Sequence, residues 1–367
     1  MTLTPEVAHL AQQLRPAAPP AQPLKIFYWA ASEEDGTWRY RLKIPGDELA
    51  RRGHEVQISP RLGAWARDEA DIIVGQRICR PGPATLWQMV AEERRKSGRG
   101  GLVYEVDDDL FGINDKTNPL GGVFKHPAVQ ESMRASLRAA NGVTVSTAPL
   151  ADVVRKVRGP KLSPHDVHVV PNAVPGALLT TVRQSPPRRA VMYGWQGSAT
   201  HAADWEVARA AVVSVLNEDP AAARLRFLGT PQSIEGILPG RKVDYRGWTT
   251  DIEQHYQGVA EFDVSLAPLE NTRFNRSKSA LRIEESLALG VPVVASDVPA
   301  YRGWVRDGVD GFIVPASAAK WATALRAMQD PHRRADMAAA GREAAAAWTV
   351  EATAHRWLDA YYAILER

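Results

Sequence analysis

Residues 263–300 read DVSLAPLENTRFNRSKSALRIEESLALGVPVVASDVPA, and this stretch decides the fold. The alternating run Val264 to Ala267 stops at a proline, which predicts a short strand. After a polar loop, residues 278–289 carry apolar side chains at helical spacing, and Gly290 follows where a helix C-cap belongs. The apolar run 291–295 predicts a strand buried on both faces of a parallel sheet. The result is a βαβ unit whose loop lies where α/β sheets bind phosphate-bearing ligands.

Strand and helix patterns alternate in both directions from this unit. Such alternation predicts an α/β protein with doubly wound sheets. Pro45 and Gly46 fall inside one helix pattern and are expected to break or restart it. The predicted strands are 25–31, 55–59, 71–75, 101–106, 142–146, 167–170, 190–195, 224–228, 242–246, 264–267, 291–295 and 311–314. The predicted helices are 40–52, 84–96, 127–140, 148–157, 203–217, 251–260, 278–289, 316–329, 331–347 and 349–366.

Proline-rich and polar segments mark the predicted domain boundaries. A proline-rich arm at 1–23 precedes a first domain at 24–175. The linker 176–189 leads to a second domain at 190–347. The remaining segment, 348–367, is predicted to be a C-terminal helix.

Length and composition exclude several classes of protein. The 367 residues suffice for two domains, and the net charge of +3 is too small to indicate a nucleic-acid partner by itself. The single cysteine, Cys79, excludes an internal disulfide and favours a reducing, cytoplasmic setting. We expect no signal peptide, no integral membrane segment and no Cys/His metal site, while peripheral membrane contact stays open.

Two sequence motifs resemble a known family. The loop FNRSKS at 274–279, with the helix and PVVAS strand after it, resembles the donor-binding segment of GT-B, family-4-like nucleotide-sugar glycosyltransferases. Together with YEVDDDLF at 104–111, it is most similar to a bacterial and phage branch of that family. The family helix carries two glutamates eight positions apart. Glu285 matches the second, whereas the first falls on Ser277, so the chain departs from the pair.

This resemblance implies a fold and an activity. It implies two Rossmann-like domains with a cleft between them, and a last helix that crosses back to the first domain. The second domain would bind the nucleotide sugar and the first would bind the acceptor. The family resemblance further implies transfer with retention of anomeric configuration and no bound metal.

Small residues after a strand form the first candidate donor contact. Gly194, Gly197 and Ser198 are predicted to make a turn whose backbone N–H groups approach phosphate closely. His201 follows, and the resemblance places a histidine near this turn. The alternative is a simple βα turn with a surface histidine.

Two further donor contacts are implied by the resemblance. Gly36 follows the first strand, where the family places glycines near the donor phosphates. Trp248 lies in the region that corresponds to the base-binding segment, where it could stack on the base. A role for Trp248 as an anchor of the core is equally open.

The loop and helix of the organising stretch carry the strongest candidates. Lys278 can neutralise a departing diphosphate, and Lys278 and Asn275 are the nearest substitutes for the missing glutamate. Ser279 could donate to phosphate or cap the helix. The resemblance assigns the ribose diol to Glu285, and a carboxylate suits a diol because both hydroxyls can donate to it. Glu284 is expected to be a solvated neighbour.

Three aspartates at the end of a predicted strand are the acceptor-side candidates. Asp107, Asp108 and Asp109 face a cleft in this architecture and could orient acceptor hydroxyls, act as a base or bind a divalent ion. A helix cap and turn is the alternative. Arg39 is a candidate for a phosphate or acceptor contact, or lies on a solvated helix face.

The predicted function is transfer of a hexosyl or pentosyl group from a UDP- or GDP-sugar to a hydroxyl acceptor. Lys278 would stabilise the leaving group, and Asp107 and Asp108 would act on the acceptor. No cofactor is expected beyond the donor substrate. The acceptor stays open between a glycan, a protein and hydroxymethylated phage DNA, and the protein is expected to be a monomer or dimer. The alternatives are a catalytically weak sugar-nucleotide binding module, and an epimerase or phosphorylase on the same fold.

Overall fold

The computed structural model describes residues 23–32, 35–113, 121–159, 166–181, 190–219, 221–241 and 243–366. The strands fall into two groups of six along the described chain. The first group is β1 Lys25–Trp29, β2 Glu55–Ser59, β3 Ile72–Gln76, β4 Leu102–Val106, β5 Gly142–Val145 and β6 Val167–Val169. The second group is β7 Val191–Gly197, β8 Ala223–Gly229, β9 Val243–Arg246, β10 Val264–Ala267, β11 Val293–Ser296 and β12 Gly311–Val314.

Helices connect these strands and cover the sheets. Those of the first half are α1 Gly36–Trp38, α2 Ile44–Arg51, α3 Ala64–Asp68, α4 Pro81–Lys96, α5 Gly121–Lys125, α6 Pro127–Ala139 and α7 Ala148–Arg158. Those of the second half are α8 Ala202–Glu218, α9 Ile252–Ala260, α10 Leu281–Ala288, α11 Ala318–Ala327, α12 Pro331–Ala345, α13 Val350–Thr353 and α14 His355–Leu365. None of these described helices combines the length and apolarity that a bilayer crossing needs.

Each group of strands forms one parallel sheet. The first sheet has the order β2-β1-β3-β4-β5-β6, and the second has the order β12-β11-β10-β7-β8-β9. The order reverses direction between β1 and β3 in the first sheet and between β7 and β10 in the second. Strands β3, β4, β10 and β11 are buried along their whole length because helices cover both faces. The prediction of two Rossmann-like, doubly wound sheets is confirmed.

Two predicted helices begin differently in the structure. Residues 39–43 form a π-helical turn, and the α-helix restarts at Ile44, next to Pro45, which lacks the N–H group that would continue the preceding turn. Helix α10 begins at Leu281 rather than 278, after a separate 3₁₀ turn at Asn275–Ser277. Ala280 is its N-cap without a side-chain hydrogen bond, so the alternative that Ser279 caps this helix is wrong.

The last helix packs on the first sheet. Trp357, Tyr361 and Ile364 of α14 share a buried cluster with Ile26 and Val103 of β1 and β4. The hydroxyls of Tyr28 and Tyr361 lie 3.0 Å apart in this cluster. The predicted return of the last helix to the first domain is therefore present. The domain boundaries stay a prediction, and most of the arm 1–23 and linker residues 182–189 lie outside the described residues.

Candidate functional site

A cavity of about 770 Å³, called the cleft below, lies between the two sheets. Its walls come from the carboxyl ends of strands in both sheets. Gly36 and Asp107 follow β1 and β4, whereas Ser198 follows β7 and Leu269 follows β10. Parallel α/β sheets bind ligands where the strand order reverses, and both such positions open into this cleft.

Glu285 of α10 faces the cleft and is 5% exposed. Its carboxylate accepts hydrogen bonds from the Tyr40 hydroxyl and from Gln196 Nε2 at 3.1 Å, and His255 Nε2 lies at 3.4 Å. Burial alone raises the pKa of Glu285, but the His255 charge and these hydrogen bonds lower it below its ordinary value. The cleft therefore contains an ionised carboxylate.

Glu284, the neighbour in sequence, has the opposite environment. The expectation that it is solvated is wrong, because its side chain is fully buried. Neither carboxylate oxygen has a hydrogen-bond partner among the described residues. Burial, and then repulsion by Glu285, raises the pKa of Glu284 well above its ordinary value. This environment favours the protonated, neutral form of Glu284, and the side chain does not line the cleft.

Two cations on the same side of the cleft flank the start of α10. Lys278 Nζ lies 4.9 Å from the centre of the Phe274 ring, and the Arg282 guanidinium lies 5.6 Å from the centre of the Trp195 ring. Both side chains line the cleft. Arg282 Nη1 is buried and has no hydrogen-bond partner in the described part of the chain. This pair of cations suits a diphosphate.

His201 is held by a small network behind the cations. Its Nδ1 lies 2.7 Å from Asp204 Oδ2, and Asp204 Oδ1 accepts from the Glu270 amide at 2.9 Å and from Asn275 Nδ2 at 2.7 Å. Burial, together with Lys278, lowers the pKa of His201 to about 4. The imidazole is therefore neutral and donates from Nδ1, which leaves Nε2 as an acceptor. Asn275 fixes the loop and does not line the cleft.

The end of β7 differs from the predicted turn. Gly194 lies inside the strand, where a Cβ atom would overlap the Phe262 ring, and it does not reach the cleft. Gly197 is the last residue of the strand and lines the cleft together with Ser198. The Gly197 carbonyl accepts from the Thr230 amide at 2.9 Å, which ties the ends of β7 and β8 together.

On the opposite wall, Asp107 and Asp108 line the cleft. Burial raises the pKa of Asp108, Lys278 across the cleft opposes this, and the Asp107 charge raises it further. Arg77, whose φ is +44°, reaches from beside them to Asp35 at 3.3 Å and Asp107 at 3.9 Å. This backbone conformation is uncommon for a residue other than glycine.

Asp109 does not share this position. It is fully buried, and its Oδ1 accepts from the Gly112 amide at 2.8 Å, as in a turn. Arg273 Nε lies 3.6 Å from its second oxygen. Trp248, in contrast, is 64% exposed at the rim of the cleft, so the alternative of a core anchor is wrong. Arg39 reaches across the cleft and donates to the Thr250 carbonyl at 3.1 Å.

The structure brings most predicted site residues together in one cleft. Those that line it are Gly36, Arg39, Asp107, Asp108, Gly197, Ser198, His201, Trp248, Lys278, Ser279 and Glu285. Those that do not are Asp109, Gly194 and Asn275. Sequence reasoning missed Tyr40, Asn172, Gln196, His255 and Arg282. Among these only Arg282 carried a signal, because it lies one helical turn after Lys278. No group of three or more His, Cys, Asp or Glu side chains in the described ranges could hold a metal ion.

The second half of the chain is similar to known glycosyltransferases in sequence. Residues 193–330 match the family described as "Glycosyl transferases group 1". The D-inositol 3-phosphate glycosyltransferase of Geodermatophilus obscurus is 35% identical over 116 residues, which are 31% of this chain and 24% of the relative. That of Thermobispora bispora is 36% identical over 107 residues, or 29% of this chain and 24% of the relative. The matched stretch thus spans about a quarter of these relatives.

Solved structures match nearly the whole chain at low sequence identity. Anabaena Alr3699/HepE in complex with UDP and glucose has a TM-score of 0.63 at 14% identity, covering 92% of this chain and 98% of that one. The sucrose-phosphate synthase of Thermosynechococcus elongatus has a TM-score of 0.63 at 18% identity, with 93% and 98% covered. A glycosyltransferase of Rickettsia africae has a TM-score of 0.64 at 12% identity, with 94% and 100% covered. The fold is therefore GT-B, as predicted.

Proposed function

We propose that the protein is a glycosyltransferase that transfers a sugar from a nucleoside-diphosphate sugar to a hydroxyl acceptor. The observation that carries this proposal is the composition of the two walls of the cleft. One wall presents an ionised carboxylate, Glu285, and two cations, Lys278 and Arg282. The other presents Asp107 and Asp108. The match of residues 193–330 to glycosyl transferases group 1 supports the same activity.

The donor would be bound by the wall of the second sheet. The ribose diol would donate to the Glu285 carboxylate, which can accept both hydroxyls. The diphosphate would lie between Lys278, Arg282 and the backbone at Gly197, all of which line the cleft. Trp248 would stack on the base at the rim. We propose a UDP-sugar because a structural neighbour is a complex with UDP, and a GDP-sugar is the alternative.

The reaction would form a bond between the acceptor oxygen and the anomeric carbon while the bond from that carbon to the diphosphate breaks. Charge develops on the departing diphosphate, so Lys278 and Arg282 stabilise the transition state more than the bound donor. Asp107 and Asp108 orient the acceptor hydroxyl. The resemblance of the sequence to family-4-like enzymes supports retention of configuration at the anomeric carbon and a hexosyl or pentosyl donor.

A sugar-nucleotide binding module is the second candidate. Ser277 stands where the resembled family has its first glutamate, and it is buried with its carbonyl bonded to Thr147 Oγ1 at 2.8 Å. It therefore contributes no carboxylate to the cleft. The residues on the two walls do not identify the class of acceptor, so a glycan, a protein and modified DNA stay candidates.

The function is tested by measuring donor hydrolysis and transfer with a panel of UDP- and GDP-sugars. Lys278→Ala should reduce kcat about tenfold or more, equivalent to about 1.4 kcal/mol, while changing donor Kd less, because the charge it meets develops during reaction. Arg276→Ala is the matched control, since Arg276 is an exposed cation of the same loop that bonds Asn271. Donor binding with no turnover of any sugar would support the binding module. Equal losses in both variants would contradict the role of Lys278.

A further inference from the structure

The hydrogen bond from Tyr40 to Glu285 joins the two halves of the protein inside the cleft. Tyr40 belongs to the π-helical turn after β1, and Glu285 belongs to α10 under the second sheet. The tyrosine is 4% exposed, and burial raises the pKa of its hydroxyl well above the ordinary value. The hydroxyl therefore keeps its proton and acts as the donor. Its acceptor is the group to which the proposed function assigns the ribose, and the inference below rests on that assignment.

The carboxylate of Glu285 has too few free positions for a ribose diol. An ionised carboxylate offers about four lone pairs to hydrogen-bond donors. Tyr40, Gln196 and His255 are placed to take three of them. A vicinal diol donates two hydrogen bonds and needs two positions. One of the three protein donors must leave before the diol can bind in full.

Among the three donors in the described part of the chain, Tyr40 is the one whose donor group has a second hydrogen-bond partner. Gln196 and His255 lie on β7 and α9, in the same half of the protein as Glu285. Tyr40 comes from the other half. Its hydroxyl also lies 2.9 Å from the Tyr256 hydroxyl. It can therefore donate to Tyr256 when it leaves Glu285, and no buried hydroxyl is left without a partner.

The residues on both sides of Tyr40 connect this contact to the rest of the interface. Arg39 donates to the Thr250 carbonyl at 3.1 Å, on the base side of the cleft. Arg41 donates to the Val170 carbonyl at 2.7 Å and to Asn172 at 3.0 Å, in the segment that leads from the first sheet towards the second. π-Helical turns are uncommon and often lie at functional sites. Three consecutive residues of this turn, 39–41, thus contact the second half of the protein or the segment that leads to it.

We infer that Tyr40 is an inter-domain latch that a nucleoside-diphosphate donor displaces. In the donor-free protein the Tyr40 hydroxyl occupies the lone pair of Glu285 that the ribose diol requires. Binding of the donor moves this hydrogen bond to Tyr256. Donor occupancy is thereby coupled to the contact between the two halves, and part of the binding free energy of the donor is used to break that contact.

Three conservative variants test the latch by calorimetric titration with UDP, or with GDP if the wild type binds only GDP. Tyr40→Phe frees the carboxylate and should tighten binding at least threefold. Tyr256→Phe removes the position to which Tyr40 moves and should weaken binding at least threefold. Tyr28→Phe is the matched control, because it removes another buried tyrosine hydroxyl bonded to a tyrosine, away from the cleft. Binding to this control should stay within twofold of the wild type.

The ribose hydroxyls provide a second test of the same inference. A 2′,3′-dideoxy analogue of the nucleotide has no diol, so Tyr40→Phe should not tighten its binding. Unchanged or weaker binding of the parent nucleotide by Tyr40→Phe, or an equal gain with the dideoxy analogue, overturns the latch. If Tyr40→Phe does not fold, Tyr256→Phe still tests the latch, because it should weaken nucleotide binding, and unchanged binding would overturn the inference.

A separate variant tells failure of the latch from failure of the proposed donor site. Glu285→Gln should weaken binding of the parent nucleotide more than tenfold and that of the dideoxy analogue little. If Glu285→Gln leaves both affinities unchanged, the assignment of the ribose to Glu285 is wrong. If Glu285→Gln behaves as expected and Tyr40→Phe gives no gain, only the latch is wrong.

Discussion

The pKa of the Asp108 side chain is shifted by its surroundings, which gives a pH dependence that can be measured. Burial and the neighbouring Asp107 charge raise its pKa, and Lys278 and Arg77 lower it, with a net rise. An acceptor hydroxyl donates a stronger hydrogen bond to the ionised carboxylate than to the protonated carboxyl group. Transfer should therefore decline as the pH falls through this raised pKa, at higher pH than for an ordinary aspartate with a pKa near about 4.

Asp107→Asn should shift this decline in transfer to lower pH, because it removes the negative charge that raises the pKa of Asp108. The measurement is the pH dependence of kcat for transfer, with donor saturating. Asp152→Asn is the control, since Asp152 is an exposed aspartate of α7 paired with Arg155. If the decline in kcat occurs at the same pH as in the wild type, or at higher pH, Asp108 does not titrate in this reaction. Slow hydrolysis of the donor by water should persist in both variants.

Glu284 should make folding stability depend on pH. Its pKa is raised by burial and by Glu285, so the folded protein keeps this proton while the unfolded chain loses it above about pH 4.3. Where the unfolded state binds fewer protons, the free energy of unfolding falls as pH rises, with a slope of at most about 1.4 kcal/mol per pH unit for one group. The loss continues until the folded pKa is reached.

Glu284→Gln should flatten this decline. Urea unfolding at several pH values between about 5 and 8 measures it. Glu253→Gln is the matched control because Glu253 is exposed on the neighbouring helix α9. The same slope in the wild type and in Glu284→Gln would contradict a protonated, buried Glu284.

At the scale of elements, hydrophobic periodicity predicted the strands and most helices. Runs such as 71–75 and 101–106 are apolar because both faces of the sheet are covered, so their pattern survives in the sequence. The start of α10 was missed because Asn275 bonds Asp204, a residue 71 positions earlier. Local pattern contains no information about such a partner. The π-helical turn was missed for the same reason, since the contacts of Arg39 and Tyr40 lie across the cleft.

The candidate site was predictable where the chemistry lies in short motifs. The FNRSKS loop and the triple aspartate predict Lys278 and Asp108 as site residues, and both line the cleft. Gln196 and His255 were missed because their partner, Glu285, is remote in sequence. Gly194 was expected to touch phosphate, yet its neighbour is the Phe262 ring. A small residue in a strand serves close packing as readily as ligand approach.

Gly194→Ala should therefore destabilise the protein, by about 1–3 kcal/mol, because the added methyl group overlaps the Phe262 ring. Gly36→Ala is the control, since a Cβ atom there meets no other atom within 4 Å. Chemical unfolding measures both. An unchanged free energy of unfolding for Gly194→Ala would show that the strand and ring separate easily.

At the scale of the whole molecule, the C-terminal helix packs against the sheet formed by the N-terminal half of the chain. Helix α14 lies against β1 and β4, and its Trp357 ring has the Arg41 guanidinium 4.5 Å from its centre. Arg41 also pairs with Glu105 of β4, and both side chains are fully buried. The first sheet therefore depends on a remote segment, since Tyr361 lies 333 positions after Tyr28 of β1. For this reason the local pattern predicted the helix, and only the family resemblance predicted where it packs.

Trp357→Ala should destabilise the first sheet selectively. Truncation of a buried tryptophan costs about 3–5 kcal/mol, and the cavity would open beside β1 and Arg41. Amide hydrogen exchange should show lower protection in β1, β3 and β4, while β10 and β11 keep theirs, because their core is formed by other side chains.

Trp248→Ala is the control, since truncation of the exposed Trp248 should change the free energy of unfolding by less than about 0.5 kcal/mol. Equal loss of protection in both sheets would mean that the two halves unfold as one unit. In that case the predicted division into two domains joined by a crossing helix would have no counterpart in the energetics of folding.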